Sequence, residues 1–240
     1  MERYKYKYEM HLHTAEVSKC AVSGAADYPK YYHDRGYTGF CVTDHFFNGN
    51  VTDEIGNETD WKTKVELFCK GYETAKAAAE PYGMDVFFGW ESSILGWAHL
   101  LTYGLDKQWL LSHPDILEWK PETYLDRVHA DGGFIVHAHP FRDRVDTVHL
   151  FPDKTDAVEI VNTSQSETAN GRAKVYSKML SLPVTAGSDM HKASENRLLG
   201  AVLTSRRISD ITEYTRLLAE GKTRICVSDY AEVCANSQNN

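Results

Sequence analysis

Short apolar runs recur along the chain, separated by stretches with helical periodicity. The runs are rich in β-branched and aromatic residues, which suit a pleated, largely buried strand. They cover Tyr4–His13, Gly39–Thr43, Met84–Gly89, Ala98–Tyr103, Gly133–His137, Ala157–Val161, Pro183–Ala186 and Gly200–Thr204, with a late run at Arg224–Ser228. Between Asp60 and Glu80 the positions Trp61, Val65, Phe68, Tyr72, Ala75 and Ala79 recur at steps of three or four, one face of a helix. Pro81–Gly83 should end that helix. Lys120–Ala130, Glu167–Leu180 and Asp210–Glu220 also read as helices, the last with Ser209 as its N-cap and Gly221 as its stop. Alternating strand and helix predicts parallel strands joined by crossovers, in a closed barrel or an open doubly wound sheet.

Side chains that bind metals sit mostly where these strands end. In order they are His11 and His13 (HLH), Asp44 and His45 (TDH), Glu91 (GWE), His99 (WAH), His137 and His139 (HAHP), and Asp189 and His191 (GSDMH). Imidazoles and carboxylates are the ligand set of Zn, Mn and Fe. Residues two apart in a strand share a side, so HLH aims two imidazoles at one point and Leu12 away from it. Glu91 can bridge two cations through its two oxygens. Asp44 reads as the partner that orients His45, and only one of His137 and His139 need be a ligand. Arg142, just past HAHP, suits bidentate capture of phosphate oxygens, with Arg144 and Arg197 as weaker candidates. Asp189 can bind a metal through one oxygen and take a proton through the other. His33, His113, His129 and His149 lack such partners and read as surface or capping histidines. Donors from distant segments meet most easily on the C-terminal face of a closed barrel, which favours the barrel.

Composition narrows the class. With 42% apolar and 25% charged residues the chain is globular, and 240 residues suit one α/β barrel. A single domain over residues 1–235 with a disordered tail at 236–240 is expected. No apolar run has membrane-spanning length and the N-terminus lacks a signal-peptide core, so a cytoplasmic location without membrane attachment is expected. The sequons at Asn50, Asn57 and Asn162 then carry no meaning. Cys20, Cys41, Cys69, Cys226 and Cys234 are odd in number and widely spaced, which argues for free thiols. Cys20, near HLH, reads as a buried apolar cysteine, with a metal or redox role as the alternative. The net charge of -8 and the lack of a basic run argue against a nucleic-acid polymer as partner. Bound dications would offset that charge toward an anionic substrate. The oligomeric state is left open.

The ordered set HxH, TDH, an isolated Glu followed by a His, AHP and GSDxH resembles the PHP (polymerase and histidinol phosphatase) family over roughly residues 9–200. The resemblance implies a distorted, TIM-like (β/α)7 barrel holding two or three divalent ions (Zn, Mn or Fe) and hydrolysing phosphoesters. It implies His11, His13, Glu91 and Asp189 around a first ion, and Glu91, His99 and His139 around a second. His45 and His191 would hold a third. The family completes that third site five or six residues after HxH, where this chain has Ser18 and Lys19, and Glu16 is the nearest acid to substitute.

The reaction so implied is hydrolysis of a small phosphorylated substrate, such as histidinol phosphate or a nucleotide phosphate. A water bridging two ions would attack phosphorus in line. Arg142 would neutralise phosphoryl charge, and Asp189 or His191 would handle the protons. Two rival readings are an amidohydrolase-like enzyme cutting C–N or C–O bonds and a non-catalytic metal-binding module. The segment Asn48–Asp60 and the loop Asp106–Lys120, with Trp109 and Trp119, are expected to border the pocket.

Overall fold

The computed structural model describes residues 4–143, 145–194 and 197–228. Among them every expected strand forms: β1 (Tyr6–Glu9), β2 (Gly39–Val42), β3 (Asp85–Ile94), β4 (Ala98–Tyr103), β5 (Phe134–Ala138), β6 (Ala157–Asn162), β7 (Val184–Gly187), β8 (Leu199–Thr204) and β9 (Arg224–Ser228). The α-helices are α1 (Tyr28–His33), α2 (Asp53–Asn57), α3 (Trp61–Ala79), α4 (Lys107–Leu111), α5 (Pro121–Ala130), α6 (Glu167–Leu180) and α7 (Ile211–Ala219). Side-chain caps start the longer ones: Asp60 accepts from the Thr63 amide, and Ser166 from the Ala169 amide. For α7 the cap is Asp210 rather than Ser209, through the Glu213 amide. The expected tail at 236–240, Cys234 and Arg144 lie outside the described residues.

The strand order is β7-β6-β5-β4-β3-β2-β1-β8-β9. A parallel bridge between Leu12 and Met190 joins the chain just past β1 to the chain just past β7. Strands β1 to β7 therefore curl into a nearly closed barrel, the mixed α/β architecture expected. β8 pairs antiparallel with β1, and β9 antiparallel with β8. Tyr8, Cys41, Phe87, Leu101, Tyr103, Val136 and Ala157 come from six consecutive strands and meet in one buried cluster, the filling of the barrel. Tyr214, Leu217 and Leu218 of α7 pack against it.

One expectation needs correction. The barrel is not all-parallel, because β4 runs antiparallel to both β3 and β5. No crossover joins β3 to β4. The chain reverses at Leu95 and Gly96, both with positive φ (48° and 84°), and the Trp97 amide donates to the Leu95 carbonyl. β3 also runs past Gly89 to Ile94, so Glu91 sits within a strand rather than after one. Reversal has a functional consequence. The start of β4 lies at the same end of the barrel as the finish of the parallel strands, and His99 is its second residue.

Candidate metal centre

Backbone pairing fixes the donors before any side chain is considered. The HLH segment is strapped on both sides: the His13 amide donates to Met190 O and the Met190 amide to His11 O. On the other side the Thr43 amide donates to Leu12 O. Leu12 faces an apolar cluster with Phe40 and Met190, leaving both imidazoles inward. His45 and Glu91 share a parallel bridge, with Glu91 N donating to Asp44 O and Phe46 N to Glu91 O. His139 follows β5 and Asp189 follows β7, each with positive φ (27° and 51°). Such backbone costs about 1–3 kcal/mol per residue and persists where the surroundings enforce it.

The side chains converge. Glu91 Oε1 lies 2.9 Å from His99 Nδ1, 3.0 Å from His139 Nε2 and 3.3 Å from His11 Nε2. Glu91 Oε2 lies 2.9 Å from His45 Nδ1. Asp189 Oδ1 stands 3.2 Å from His13 Nε2 and 3.6 Å from His11 Nε2. The His13 ring lies 4.3 Å from that of His191 and 4.4 Å from that of His45. Three overlapping groups have donor atoms within 4.8 Å of one another: His11, Glu91 and His139; His11, His13 and Asp189; and His13, His45 and His191.

These contacts are close but poorly satisfied. His11 Nε2, His13 Nε2, His45 Nδ1 and Glu91 Oε2 are buried without a hydrogen-bond partner, even where a neighbour is near. Buried polar atoms are almost always paired. Several unpaired lone pairs aimed at one volume fit divalent cations, and the donor types are those of Zn, Mn or Fe. Burial opposes ionisation of Glu91, yet His99 and His11 hold its carboxyl well below the usual range. Asp189 is likewise held low against burial by His11 and His13. Burial, then the charges of His191 and His45, keep His13 neutral.

A buried layer supports this ring, and sequence reasoning missed most of it. Glu159 Oε1 lies 2.9 Å from His11 Nδ1, while Oε2 accepts from the His139 amide and from Asn162 Nδ2. Glu9 Oε1 accepts from the His11 and Ser188 amides, and burial pushes its carboxyl up to about 7. Asp44 was expected to orient His45 directly. It instead accepts from Thr14 and from Ser18 Oγ, and that hydroxyl takes the His45 amide and meets His13 Nδ1. Two close approaches require glycine. A Cβ at Gly187 would overlap His11 Cβ and stand 2.8 Å from Glu159 Oε1. One at Gly71 in α3 would overlap Thr14 Oγ1 and stand 2.8 Å from Asp44 Oδ2.

The other candidates separate clearly. A cavity of about 500 Å³ opens over the cluster, lined by His45, Glu91, His99, His139, Asp189 and His191 and also by Arg142, Trp97 and Asn48–Asn50. Arg142 lies against the His99 ring, with its Nη1 3.3 Å from Nε2, and over Trp97. Glu16 is a correction. Both its oxygens accept from the Ala25 amide, at 3.0 and 2.9 Å, so the turn after HLH carries it away from the cluster. Arg197 is spent on Ser164 Oγ and the Ser188 carbonyl. His137 is buried away from the cavity against Phe151 and Tyr176, and burial lowers it to about 3. Trp109 stacks on Trp90 in the core, and neither it nor Trp119 lines the cavity. Cys20 is not buried. It is exposed on the cavity wall, where burial raises its thiol but the His191 and His45 imidazoles outweigh that and bring it down to about 6.

No family model and no curated protein matches the chain. Solved structures do. A two-domain protein from Bacteroides vulgatus, described as containing a predicted PHP-like metal-dependent phosphoesterase, superposes with TM-score 0.65 at 15% identity. The match covers 92% of this chain, which spans 64% of that one. PsfC from Pseudomonas syringae matches with TM-score 0.56 at 16% identity, over 96% of this chain and 94% of its own. The lesion-specific endonuclease PfuEndoQ from Pyrococcus furiosus matches with TM-score 0.56 at 12% identity, over 92% of this chain and 57% of its own. At these identities the shared property is the fold.

Proposed function

We propose that this chain is a PHP-type, metal-dependent phosphoesterase acting on a small phosphate ester. The observation that carries the reading is the ring of unpaired buried donors around Glu91 and Asp189 beneath an open cavity with Arg142 on its wall. His11, His13, Glu91, His139, Asp189, His45 and His191 would hold two or three divalent ions, with His99 as a further donor beside Glu91. When bound, such ions supply Lewis-acid charge and make water a nucleophile near neutral pH.

The chain's own groups complete the chemistry. The Arg142 guanidinium meets the phosphoryl oxygens and offsets the charge that builds on them. The Asp189 carboxylate, held ionised by His11 and His13, accepts the proton of the attacking water. That oxygen bonds to phosphorus as the ester P–O bond breaks, and the departing alkoxide leaves with a proton from Asp189. Arg142 is the one Lys or Arg among the described residues that line the cavity. A single cation suits one phosphoryl group better than a polymer backbone, which takes a basic stripe. No helix among the described residues is long and apolar enough to cross a membrane.

Phosphate release from a panel of phosphomonoesters and phosphodiesters, with Mn, Zn or Fe(II) added, tests the reading. Turnover on a small ester, abolished in Asp189→Ala, is expected. Turnover on amides or carboxylic esters alone would move the chain to the amidohydrolase reading. Cleavage of DNA alone would replace the small ester by a nucleic-acid polymer as substrate.

A further inference from the structure

We propose that Trp97 is a stacking platform for the substrate's leaving group, so that the substrate is a phosphate ester of an alcohol bearing a neutral planar ring. The inference rests on the phosphoesterase reading above and adds the chemistry of the group that departs.

Trp97 differs from the other tryptophans of the chain. Trp61, Trp90, Trp109 and Trp119 donate their indole N–H to oxygens of Leu110, Tyr124, Asp131 and Asp115, and all four are buried or half-buried. Trp97 makes no such bond among the described residues and is 64% exposed. Tryptophan is highly buried on average. A single exposed ring signifies little by itself, so its position decides.

Trp97 lines the same cavity as His45, Glu91, His99 and Asp189. The Arg142 guanidinium carbon lies 5.6 Å from its ring centre, near the outer limit of a cation–π contact, and leaves the ring open. Arg142 Nη1 in turn lies 3.3 Å from His99 Nε2. A phosphoryl group held by Arg142 at the donor cluster therefore has Trp97 within reach of the group bonded to it. Both walls are fixed. The β3–β4 turn sets Trp97 through the positive φ of Leu95 and Gly96 and the 3.1 Å bond from the Trp97 amide to Leu95 O. Asn48 Nδ2 donates to Ser93 O at 2.8 Å, and Asn48 Oδ1 accepts from the Ser93 amide at 3.2 Å, which ties the neighbouring segment to β3. A cavity of about 500 Å³ has room for far more than a phosphoryl group. No Lys or Arg besides Arg142 lines it among the described residues. A second phosphate would find no cation there, while a neutral ring finds the indole face.

Benzyl phosphate and cyclohexylmethyl phosphate test the platform, being similar in size and in the reactivity of the departing alcohol but differing in whether the ring is planar. Full-length wild type, Trp97→Ala and Trp97→Phe are assayed on both with Mn added. Calorimetry measures binding of benzylphosphonate and cyclohexylmethylphosphonate, which are not hydrolysed. Wild type should favour the benzyl ester by about two- to tenfold in kcat/KM, carried by KM, and the benzyl phosphonate by a similar factor in Kd. Trp97→Ala should erase both preferences, and Trp97→Phe should keep the larger part of them. No preference in the wild type, a preference that survives in Trp97→Ala, or an equal loss on both esters in that variant would overturn the platform and leave the phosphoesterase reading standing. A phosphonate preference that depends on Trp97, with no turnover of any phosphoester, would keep the platform and overturn that reading.

Discussion

Glu159→Gln perturbs the centre without touching a proposed ligand atom or changing side-chain shape. Glu159 is fully buried and has two jobs on two oxygens. Oε1 faces His11 Nδ1 at 2.9 Å, and Oε2 takes the His139 amide and Asn162 Nδ2, both at 3.0 Å. With its proton on Nδ1, His11 donates to Glu159 and presents a bare Nε2 to the cluster. Glutamine has only one acceptor oxygen. Turned toward His139 and Asn162, it faces its NH₂ to His11 Nδ1, which drives the His11 proton to Nε2 and removes the lone pair. Turned toward His11, it sets a donor against two donors in a buried site. Either arrangement weakens ion binding. Loss of such a supporting partner typically lowers metal affinity 10- to 100-fold, or about 1.4–2.7 kcal/mol. Chelator-competition titration with Zn on wild type and Glu159→Gln measures it. Equal affinities within twofold would refute this view of how His11 is held.

Other consequences follow from single residues. Gly71→Ala should destabilise: helix propensity favours alanine by about 1 kcal/mol, but a Cβ meets Thr14 and Asp44 and overpacking typically costs about 1–3 kcal/mol, so thermal denaturation should show a lower Tm. His137→Leu should keep every ion and hold or raise stability, since both ring nitrogens are buried without partners; loss of an ion on elemental analysis would contradict it. The Asp156 hydrogen bond raises the His129 pKa above its ordinary 6.5. Because the folded value is the higher one, the stabilisation is fully present below about 6.5 and lost as pH rises through the folded value. The NMR titration of His129 should therefore move down in Asp156→Asn, and the stability difference between the proteins should shrink at alkaline pH.

The strands were legible because β-branched and aromatic runs bounded by turn residues leave few alternatives. HLH, TDH and GSDMH were legible for a related reason, since a strand end fixes where the next side chains point. The β3–β4 hairpin was not. Its turn rests on Leu95 with positive φ, and only Gly96 marked it. His99 reaches Glu91 even so, because a strand running backwards offers its first residues to the face where the others offer their last. Glu159 and Glu9 left a fainter signal. Each is a lone acid inside an apolar run, and burial of a charge demands partners, but the sequence does not say which. Cys20 and Glu16 lie in an aperiodic turn where nearness along the chain says little about nearness in space. There the acid went to the Ala25 amide and the thiol to the cavity wall.

Elemental analysis of the full chain after incubation with Zn, Mn or Fe(II) and gel filtration tests the central claim most directly. Two or three equivalents per chain are expected in the wild type, with at least one lost in Glu91→Gln, whose carboxylate lies within 3.6 Å of five imidazoles. A supplemented wild type holding less than one equivalent, or a Glu91→Gln protein holding as many ions as the wild type, would contradict the account.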